Sequence, residues 1–140
     1  AVHPRNHLFL AAGAIPLGIQ YFPSIYVIRK ERWEKIRCRI KENSWPARIA
    51  ARFMRVKSVA MVLGRTIHLY GASRERFLSD VAWMRHEACH VKQYQRFGKT
   101  GFLRRYLAEY LRRGYYNNDL EVAARAAEDD PAVLDDIEIV

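Results

Sequence analysis

The segment "MRHEACHVKQY", Met84 to Tyr94, constrains the fold of this 140-residue chain more than any other. His86 and His90 lie four positions apart, and Glu87 follows the first histidine directly. In an α-helix, residues at i and i+4 lie on one face, so both imidazoles point the same way. Two imidazole nitrogens at that spacing can bind one Zn²⁺ ion. The segment therefore predicts a helix that carries two of the ligands of a metal site.

Glu87 is placed for a different task from that of the two histidines. It lies about 100° around the helix axis from His86, too far round to be a third ligand on the same face. It is still near enough to reach a water molecule held by the metal and to accept its proton as the water attacks a carbonyl group. For this reason the H-E-x-x-H pattern indicates a zinc metallopeptidase. The alternative is a helix with two chance histidines, in which Glu87 pairs with a neighbouring arginine.

A catalytic zinc site needs a third protein ligand and one open position. The remaining histidines are His3, His7 and His68. They do not complete the extended H-E-x-x-H-x-x-G-x-x-H pattern, because positions 93 and 96 are Gln and Arg. A carboxylate from a later helix is the other common solution, and the candidates are Glu109 and Glu121.

The two carboxylate candidates lie in different surroundings. Glu109 lies at the border of an apolar helical stripe, where a solvated glutamate is ordinary. Glu121 belongs to an Ala-rich segment whose small residues would let its helix approach the active-site helix closely; these are Ala123, Ala124 and Ala127. The alternative role of Glu121 is a surface ion pair with Arg125 at i+4.

Hydrophobic periodicity predicts an α+β domain with a small antiparallel sheet. "KIRCRI", Lys35 to Ile40, alternates as a half-buried strand does, and Asn43 or Ser44 can cap a helix that runs to about Arg55. "SVAMVLGRTIHLYG" predicts a hairpin whose Gly64-Arg65 turn suits type II′. The segment "GASRERFLSD" that follows is expected to be a loop or a frayed turn.

Three helices are expected after the hairpin. The first runs from about Asp80, after an N-cap at Ser79, to Phe97, and Gly98 ends it. The second covers about Gly101 to Arg113 with a buried apolar stripe, and the third covers Asp119 to Glu128. The members of the stripe are Phe102, Leu103, Tyr106, Leu107, Tyr110 and Leu111.

The first thirty residues form a separate N-terminal arm. From Leu8 to Ile28 the chain has 21 uncharged residues followed by a basic flank, which is long enough to span a bilayer. Pro16 and Pro23 interrupt such a helix, so a packed or surface-lying arm and a signal remnant are the other interpretations. The expected organisation is an arm over residues 1–30, a catalytic domain over residues 31–128 and a loosely held acidic tail over residues 129–140.

The net charge of +9 is unevenly distributed along the chain. Before Asp119 there are 23 Lys/Arg and 7 Asp/Glu, whereas from Asp119 onward there are 1 and 8. A basic body attracts anionic partners, but the cations are spread along the chain rather than grouped on one helix, so we expect no nucleic-acid partner. Two cysteines, Cys38 and Cys89, make no disulfide framework and favour a reducing compartment. The expected location is cytoplasmic, and membrane association through the arm is the alternative.

Four segments between Ile40 and Glu128 resemble a small bacterial family of zincin-like domains: "KENSWPARIA", "VAMVLGRTIHLYGAS", "WMRHEACHVKQYQRFG" and "GYYNNDLEVAARAAE". The resemblance implies a minimal zincin-like fold with an H-E-x-x-H active-site helix. In zincins with a glutamate ligand, the gluzincins, a later helix carries Glu followed by Ala as E-x-x-A. Glu121 and Ala124 match that pattern, so the resemblance favours Glu121 over Glu109 as the third ligand.

The resemblance also implies two supporting roles. The edge strand before the active-site helix holds the peptide substrate in zincins, and here it corresponds to Thr66, Ile67, His68, Leu69 and Tyr70. A hydrogen-bond donor near the metal stabilises the oxyanion, and Tyr115, Tyr116 and His68 are the candidates. The expected function is a zinc metallopeptidase with one catalytic Zn²⁺, a peptide or protein substrate and Glu87 as base. The alternative is a non-catalytic, zinc-stabilised binding module with a basic surface.

Overall fold

A computed structural model describes residues 34–140, which belong to one compact unit, Trp33–Val140. The elements are β1 (Ile36–Lys41), α1 (Trp45–Met54), β2 (Val59–Leu63), β3 (Thr66–Tyr70), α2 (Arg74–Ser79), α3 (Val81–Arg113), α4 (Asp119–Ala127), a 3₁₀ turn (Pro131–Leu134) and β4 (Ile137–Ile139). The α+β class is confirmed. The interpretations of residues 1–30 lie outside the described residues. Across residues 34–140, no helix combines the length and the apolar character needed to cross a bilayer.

The four-stranded sheet has the order β2-β3-β1-β4 and contains both parallel and antiparallel pairs. The prediction of an antiparallel sheet is therefore wrong. β2 and β3 form the predicted antiparallel hairpin, but β1 is parallel to both β3 and β4. After β1, the chain passes through α1 and enters the sheet two strand positions away, as the edge strand β2. The hairpin then returns β3 into the gap beside β1. Its turn agrees with type II′, because Gly64 has a φ of 67° while Arg65 keeps a negative φ.

The acidic tail is an integral part of this unit, and the expectation of a loosely held tail is wrong. β4 pairs with β1 in parallel, with Ile36 opposite Ile137, and the backbone N–H of Val140 donates to the carbonyl of Cys38 at 2.8 Å. Ile137 and Ile139 pack against the core. Ile137 and Ile139 alternate with acidic residues in the tail. They therefore lie on one face of a short strand, and that face can be buried when the strand pairs with β1.

Helix α3 consists of two arms joined at Gly98. Asp80 rather than Ser79 is its N-cap and accepts a hydrogen bond from the Trp83 N–H at 3.0 Å. At Gly98 the backbone takes φ 70° and ψ 168°, which only glycine adopts at low cost, so the arms over residues 81–97 and 99–113 do not share one helical path. The predicted stop at Gly98 is therefore confirmed. The segment expected to be a loop after β3 forms α2 instead, capped by Ser73.

The core lies between the sheet and the first arm of α3. Ile67 and Leu69 from β3 meet Val91 and Tyr94 from α3, and Phe102 closes the group from the second arm. The prediction of a fully buried stripe on the second arm is only partly correct. Phe102 is buried, but three leucines at i, i+4 and i+8 are exposed: Leu103, Leu107 and Leu111. Periodicity identifies an apolar face, but it does not show whether another element covers that face.

Candidate metal centre

The first arm of α3 brings the two histidines together on its inner face. His86 and His90 have ring centroids 5.0 Å apart, and their side chains are only 14% and 9% exposed. Both rings are thus shielded from bulk water while their Nε2 atoms face the same carboxylate, that of Glu121. The i, i+4 spacing and the burial of one helix face produce this arrangement.

Hydrogen bonds fix the Nδ1 atoms of both rings. His86 Nδ1 lies 2.8 Å from Oε1 of Glu128, and His90 Nδ1 lies 2.9 Å from Oε1 of Gln93. A carboxylate only accepts, so His86 donates through Nδ1. The amide nitrogen of Gln93 donates to the carbonyl of Leu120 at 3.0 Å, which leaves its oxygen to accept from His90. In the neutral form of each ring, the lone pair is then on Nε2, the atom that faces Glu121.

Glu121 completes the cluster from α4. Its Oε2 lies 3.3 Å from His86 Nε2, and its Oε1 lies 3.5 Å from His90 Nε2. Asn118 is fully buried and caps α4, accepting from the Leu120 N–H and donating to the carbonyl of Tyr106. The fully buried Ala124, one turn beyond Glu121, leaves no side-chain bulk between α4 and its neighbours. The structure therefore brings His86, His90 and Glu121 together, with ligand atoms within 4.8 Å of one another.

Glu109 lies apart from this cluster. Its carboxylate is near Arg112 at 3.6 Å and Arg113 at 3.5 Å, one helical turn further along the same arm. The cluster of potential ligands found within residues 34–140 contains Glu121 and not Glu109. Glu109 and Glu121 were the two candidates for the third ligand, and the geometry therefore favours Glu121.

The donor set and its spacing suit a zinc ion. Tetrahedral zinc with bonds of about 2.0–2.1 Å places neighbouring ligand atoms about 3.3 Å apart. The two measured nitrogen–oxygen distances, 3.3 and 3.5 Å, lie close to that value. Oε2 of Glu121 is buried, with His86 Nε2 as a polar neighbour at 3.3 Å, so a cation between these atoms would compensate the charge of the carboxylate. Two imidazoles and one carboxylate are also a donor set found in catalytic zinc sites.

Glu87 lies beside the cluster as a buried carboxylate. It is almost fully buried, and its Oε2 has no hydrogen-bond partner among the described residues. It lines the same cleft as His86, His90 and Glu121. Burial raises the pKa of Glu87, although the nearby imidazoles oppose the change. A carboxyl group of raised pKa facing a cleft is suited to exchanging protons near neutral pH.

The three ligand candidates are strongly coupled electrostatically. Burial alone would lower the pKa of His86, but Glu121, Glu87 and Glu128 outweigh it and raise the pKa to about 9. Burial would raise the pKa of Glu121, yet its contacts with His86, His90 and Tyr106 keep that pKa well below its usual range. The proton on His86 therefore balances the charge of the ionised Glu121 carboxylate. A divalent cation that binds to both side chains could replace this proton.

The cluster forms part of the wall of a cleft of about 540 Å³. The other walls are mainly apolar and come from α1, β2 and the second arm of α3, including Phe53, Val62 and Leu103. Of the three oxyanion candidates, Tyr115 lines this cleft. Burial and the nearby Glu121 raise the pKa of Tyr115 to about 12, so its hydroxyl keeps its proton and remains a donor.

The other two oxyanion candidates are engaged elsewhere. The ring of Tyr116 is largely exposed and carries the guanidinium of Arg125, with Cζ 4.3 Å from the ring centroid. Nδ1 of His68 lies 2.6 Å from the hydroxyl of Ser44, at the start of α1. Neither residue is among those that line the cleft, so the structure does not bring them to the cluster.

The strand predicted to bind the substrate does not lie at the edge of the sheet. Thr66–Tyr70 forms β3, which lies between β2 and β1 and has both sides paired. Among the strands of residues 34–140, β2 is the edge strand beside the cleft, and all five of its residues line the cleft. A strand with partners on both sides cannot accept another, so the identification of β3 as the edge strand is wrong.

Three residues that support the cluster were missed by sequence reasoning: Tyr106, Gln93 and Glu128. Tyr106 was assigned only to an apolar stripe, and Gln93 was considered only as a position that lacks histidine. A signal was present for Gln93, because it follows His90 by three residues on the same helix. Glu128 carried no such signal, since its approach to His86 depends on the tertiary packing of α4.

Comparison with known protein families, curated proteins and solved structures finds no match for this chain. Its site is accordingly interpreted from its own geometry.

Proposed function

We propose that this chain is a zinc-dependent hydrolase of peptide bonds, with His86, His90 and Glu121 as the metal ligands. The observation that carries the proposal is the convergence of two Nε2 atoms and one carboxylate, with both Nδ1 atoms already bonded to other side chains. A structural zinc site is closed by four protein ligands, whereas within residues 34–140 this cluster offers three and opens into a cleft. Three ligands and an open position are typical of catalytic sites.

Each nearby side chain has a distinct role in this proposal. Zinc, when bound, would lower the pKa of a water molecule and polarise the substrate carbonyl. Glu87 accepts the proton from the attacking water and passes it to the leaving amine, which its buried and unpaired carboxylate favours. Tyr115 donates its hydroxyl proton in a hydrogen bond to the oxyanion that develops on the substrate. The side chains of the cluster are largely shielded from bulk water, and this shielding strengthens each of these electrostatic interactions.

An extended peptide is the substrate that suits the cleft. β2 is an edge strand whose residues line the cleft, so its free backbone groups can pair with a substrate strand. Apolar walls beside β2 would accept apolar side chains on either side of the bond to be cleaved. The two free cysteines, Cys38 and Cys89, favour action in a reducing compartment such as the cytoplasm.

The first experiment measures the zinc content of the purified full chain beside His86→Ala and Glu121→Gln. About one zinc per native chain and a clear loss in both variants would support the three ligands. Arg125→Gln is a matched control, because it alters α4 one turn from Glu121 without removing a ligand atom. A native chain that takes up no zinc from a zinc-containing buffer would overturn the proposal.

The second experiment separates catalysis from simple metal binding. Glu87→Gln keeps the shape of the side chain but removes the base, so zinc content should be unchanged while cleavage of a peptide library falls about 100-fold or more. The alternative, a zinc-stabilised binding module, predicts zinc in the native chain and no cleavage that depends on Glu87.

A further inference from the structure

Two exposed apolar stripes border the mouth of the cleft. On α1, Trp45, Ile49 and Phe53 lie at i, i+4 and i+8 and are all exposed. On the second arm of α3, Leu103, Leu107 and Leu111 repeat the same spacing and are also exposed. Phe53 and Leu103 line the cleft itself, so the stripes continue outward from its two sides. Large apolar side chains grouped in this way mark an interaction surface rather than ordinary scattered exposure.

The charge beside both stripes is entirely positive. Arg48 and Arg52 lie next to the stripe of α1, a helix with no acidic residue. Lys99, Arg104 and Arg105 are exposed on the second arm of α3, where the single acidic residue is the buried Glu109. None of these five cations forms an ion pair with a described residue; the ion pairs found within residues 34–140 involve other side chains. The apolar surface therefore lies in a field that attracts anions.

We propose that this surface docks on an anionic lipid bilayer, with the cleft mouth facing the membrane. Amphipathic helices that carry Trp, Phe and Leu beside Arg and Lys lie in the interface plane, with apolar side chains in the acyl boundary and cations among the phosphates. Here one such stripe lies on each of two helices that line the same cleft. A nucleic acid would match the cations but would leave six exposed apolar residues without partners. The surface rests on residues 45–63 and 99–113 and does not depend on the metal ligands.

The test is co-sedimentation of the full chain with vesicles of phosphatidylcholine alone or with about one third phosphatidylserine. We expect binding to the anionic vesicles to be about tenfold or more stronger, because several cations near the surface each add to the attraction. Ile49→Asp combined with Leu107→Asp places one charge in each stripe, at positions with equal exposure of 58%. This variant should lose most of the binding.

The matched control is Val122→Asp combined with Val140→Asp, which removes two exposed apolar residues outside both stripes and changes the net charge by the same amount. It should bind anionic vesicles as the native chain does. Far-ultraviolet circular dichroism of all three proteins reports on folding, and their zinc content reports separately on the metal site. Failure of the metal proposal therefore leaves the vesicle result readable, and the converse also holds.

Three outcomes would overturn the proposal. Equal binding by the native chain and the stripe variant would assign any lipid contact to another part of the chain, such as residues 1–33. No binding by the native chain would reject the bilayer as the occupant of the stripes. Equal binding to neutral and anionic vesicles would remove the role of the cations. Quenching of Trp45 by brominated lipid, in a chain carrying Trp33→Phe and Trp83→Phe, would locate the contact directly.

Discussion

Tyr106 donates a hydrogen bond of 2.7 Å to Oε1 of Glu121 and so joins the second arm of α3 to the cluster of His86, His90 and Glu121. The contact depends on Gly98, where the helix path breaks before the second arm begins. Asn118 reinforces it, since its side-chain amide donates to the carbonyl of Tyr106 at 3.1 Å. The break in α3 therefore positions the hydroxyl group of Tyr106 behind the carboxylate of Glu121.

Replacing Tyr106 by Phe should weaken zinc binding about 10–100-fold, since partners of this kind orient the ligand they contact. Competition with a chelator of known affinity measures the change. Tyr110→Phe is the matched control, because Tyr110 lines the cleft on the same arm without a hydrogen bond to a ligand residue. An unchanged zinc affinity in Tyr106→Phe would show that the packing of α4 alone holds Glu121 in place.

Glu128 should act on zinc through His86. Glu128→Ala removes the acceptor at 2.8 Å from Nδ1 and should lower zinc affinity about 10–100-fold. Glu128→Gln retains an oxygen acceptor but loses the charge, so we expect a smaller loss. A larger loss of zinc affinity in Glu128→Ala than in Glu128→Gln would show that Glu128 acts by orienting the His86 ring as well as through its own charge. Equal affinities in both variants and the native chain would exclude a role for Glu128.

Zinc uptake should release protons at about pH 7. The carboxylates around His86 raise its pKa to about 9 in the metal-free chain, whereas zinc requires a neutral ring nitrogen. We expect close to one proton from His86 per zinc near pH 7, and progressively fewer as the pH passes 9. Calorimetric titrations in buffers of different ionisation enthalpy measure this number. A binding enthalpy that is independent of the buffer would contradict the protonation of His86.

The same pKa sets the pH dependence of stability in the metal-free chain. The folded pKa of His86, about 9, exceeds the ordinary value of 6.5, so protonated His86 favours the folded state. That contribution is fully present below about pH 6.5 and is lost as the pH rises through 9. Urea unfolding in the presence of a chelator should therefore show falling stability over this interval, and His86→Ala should flatten the decline.

Removal of β4 should destabilise the whole domain. A chain that ends at Asp136 loses the half-buried Ile137 and Ile139 and the strand partner of β1, which we expect to cost about 2–4 kcal/mol of unfolding free energy. Glu138→Gln is the control, because it alters the exposed face of β4 and keeps the strand. Equal urea midpoints for the truncated and full chains would show that β4 adds nothing to the fold.

Local patterns predicted the elements better than their partners. Hydrophobic alternation and glycine positions predicted β1, the hairpin and the break at Gly98, because these depend on residues close in sequence. The direction of β1 relative to β3 was missed, since it follows from the strand position that the chain takes after α1. α2 was missed because its signals are weak in six residues, with Ser73 as the cap.

The candidate site divides in the same way. His86, Glu87 and His90 follow from one helix and its periodicity, whereas the choice between Glu109 and Glu121 needed either the family resemblance or the packed structure. Glu128 and Tyr106 approach the cluster only after α4 has docked on α3, and no spacing rule encodes that contact. Whether zinc binds and whether a peptide is cleaved remain predictions for the experiments above.

The pairing of Ile36 with Ile137 has a consequence for the time at which the domain forms. A ribosome releases β1 long before it makes β4, so one side of β1 stays without its partner through most of synthesis. Contacts between such distant segments are slow to form, because a long loop must close first. During that interval the open edge of β1 can pair with any extended chain nearby. The nascent protein should therefore depend on chaperones more than its small size would suggest.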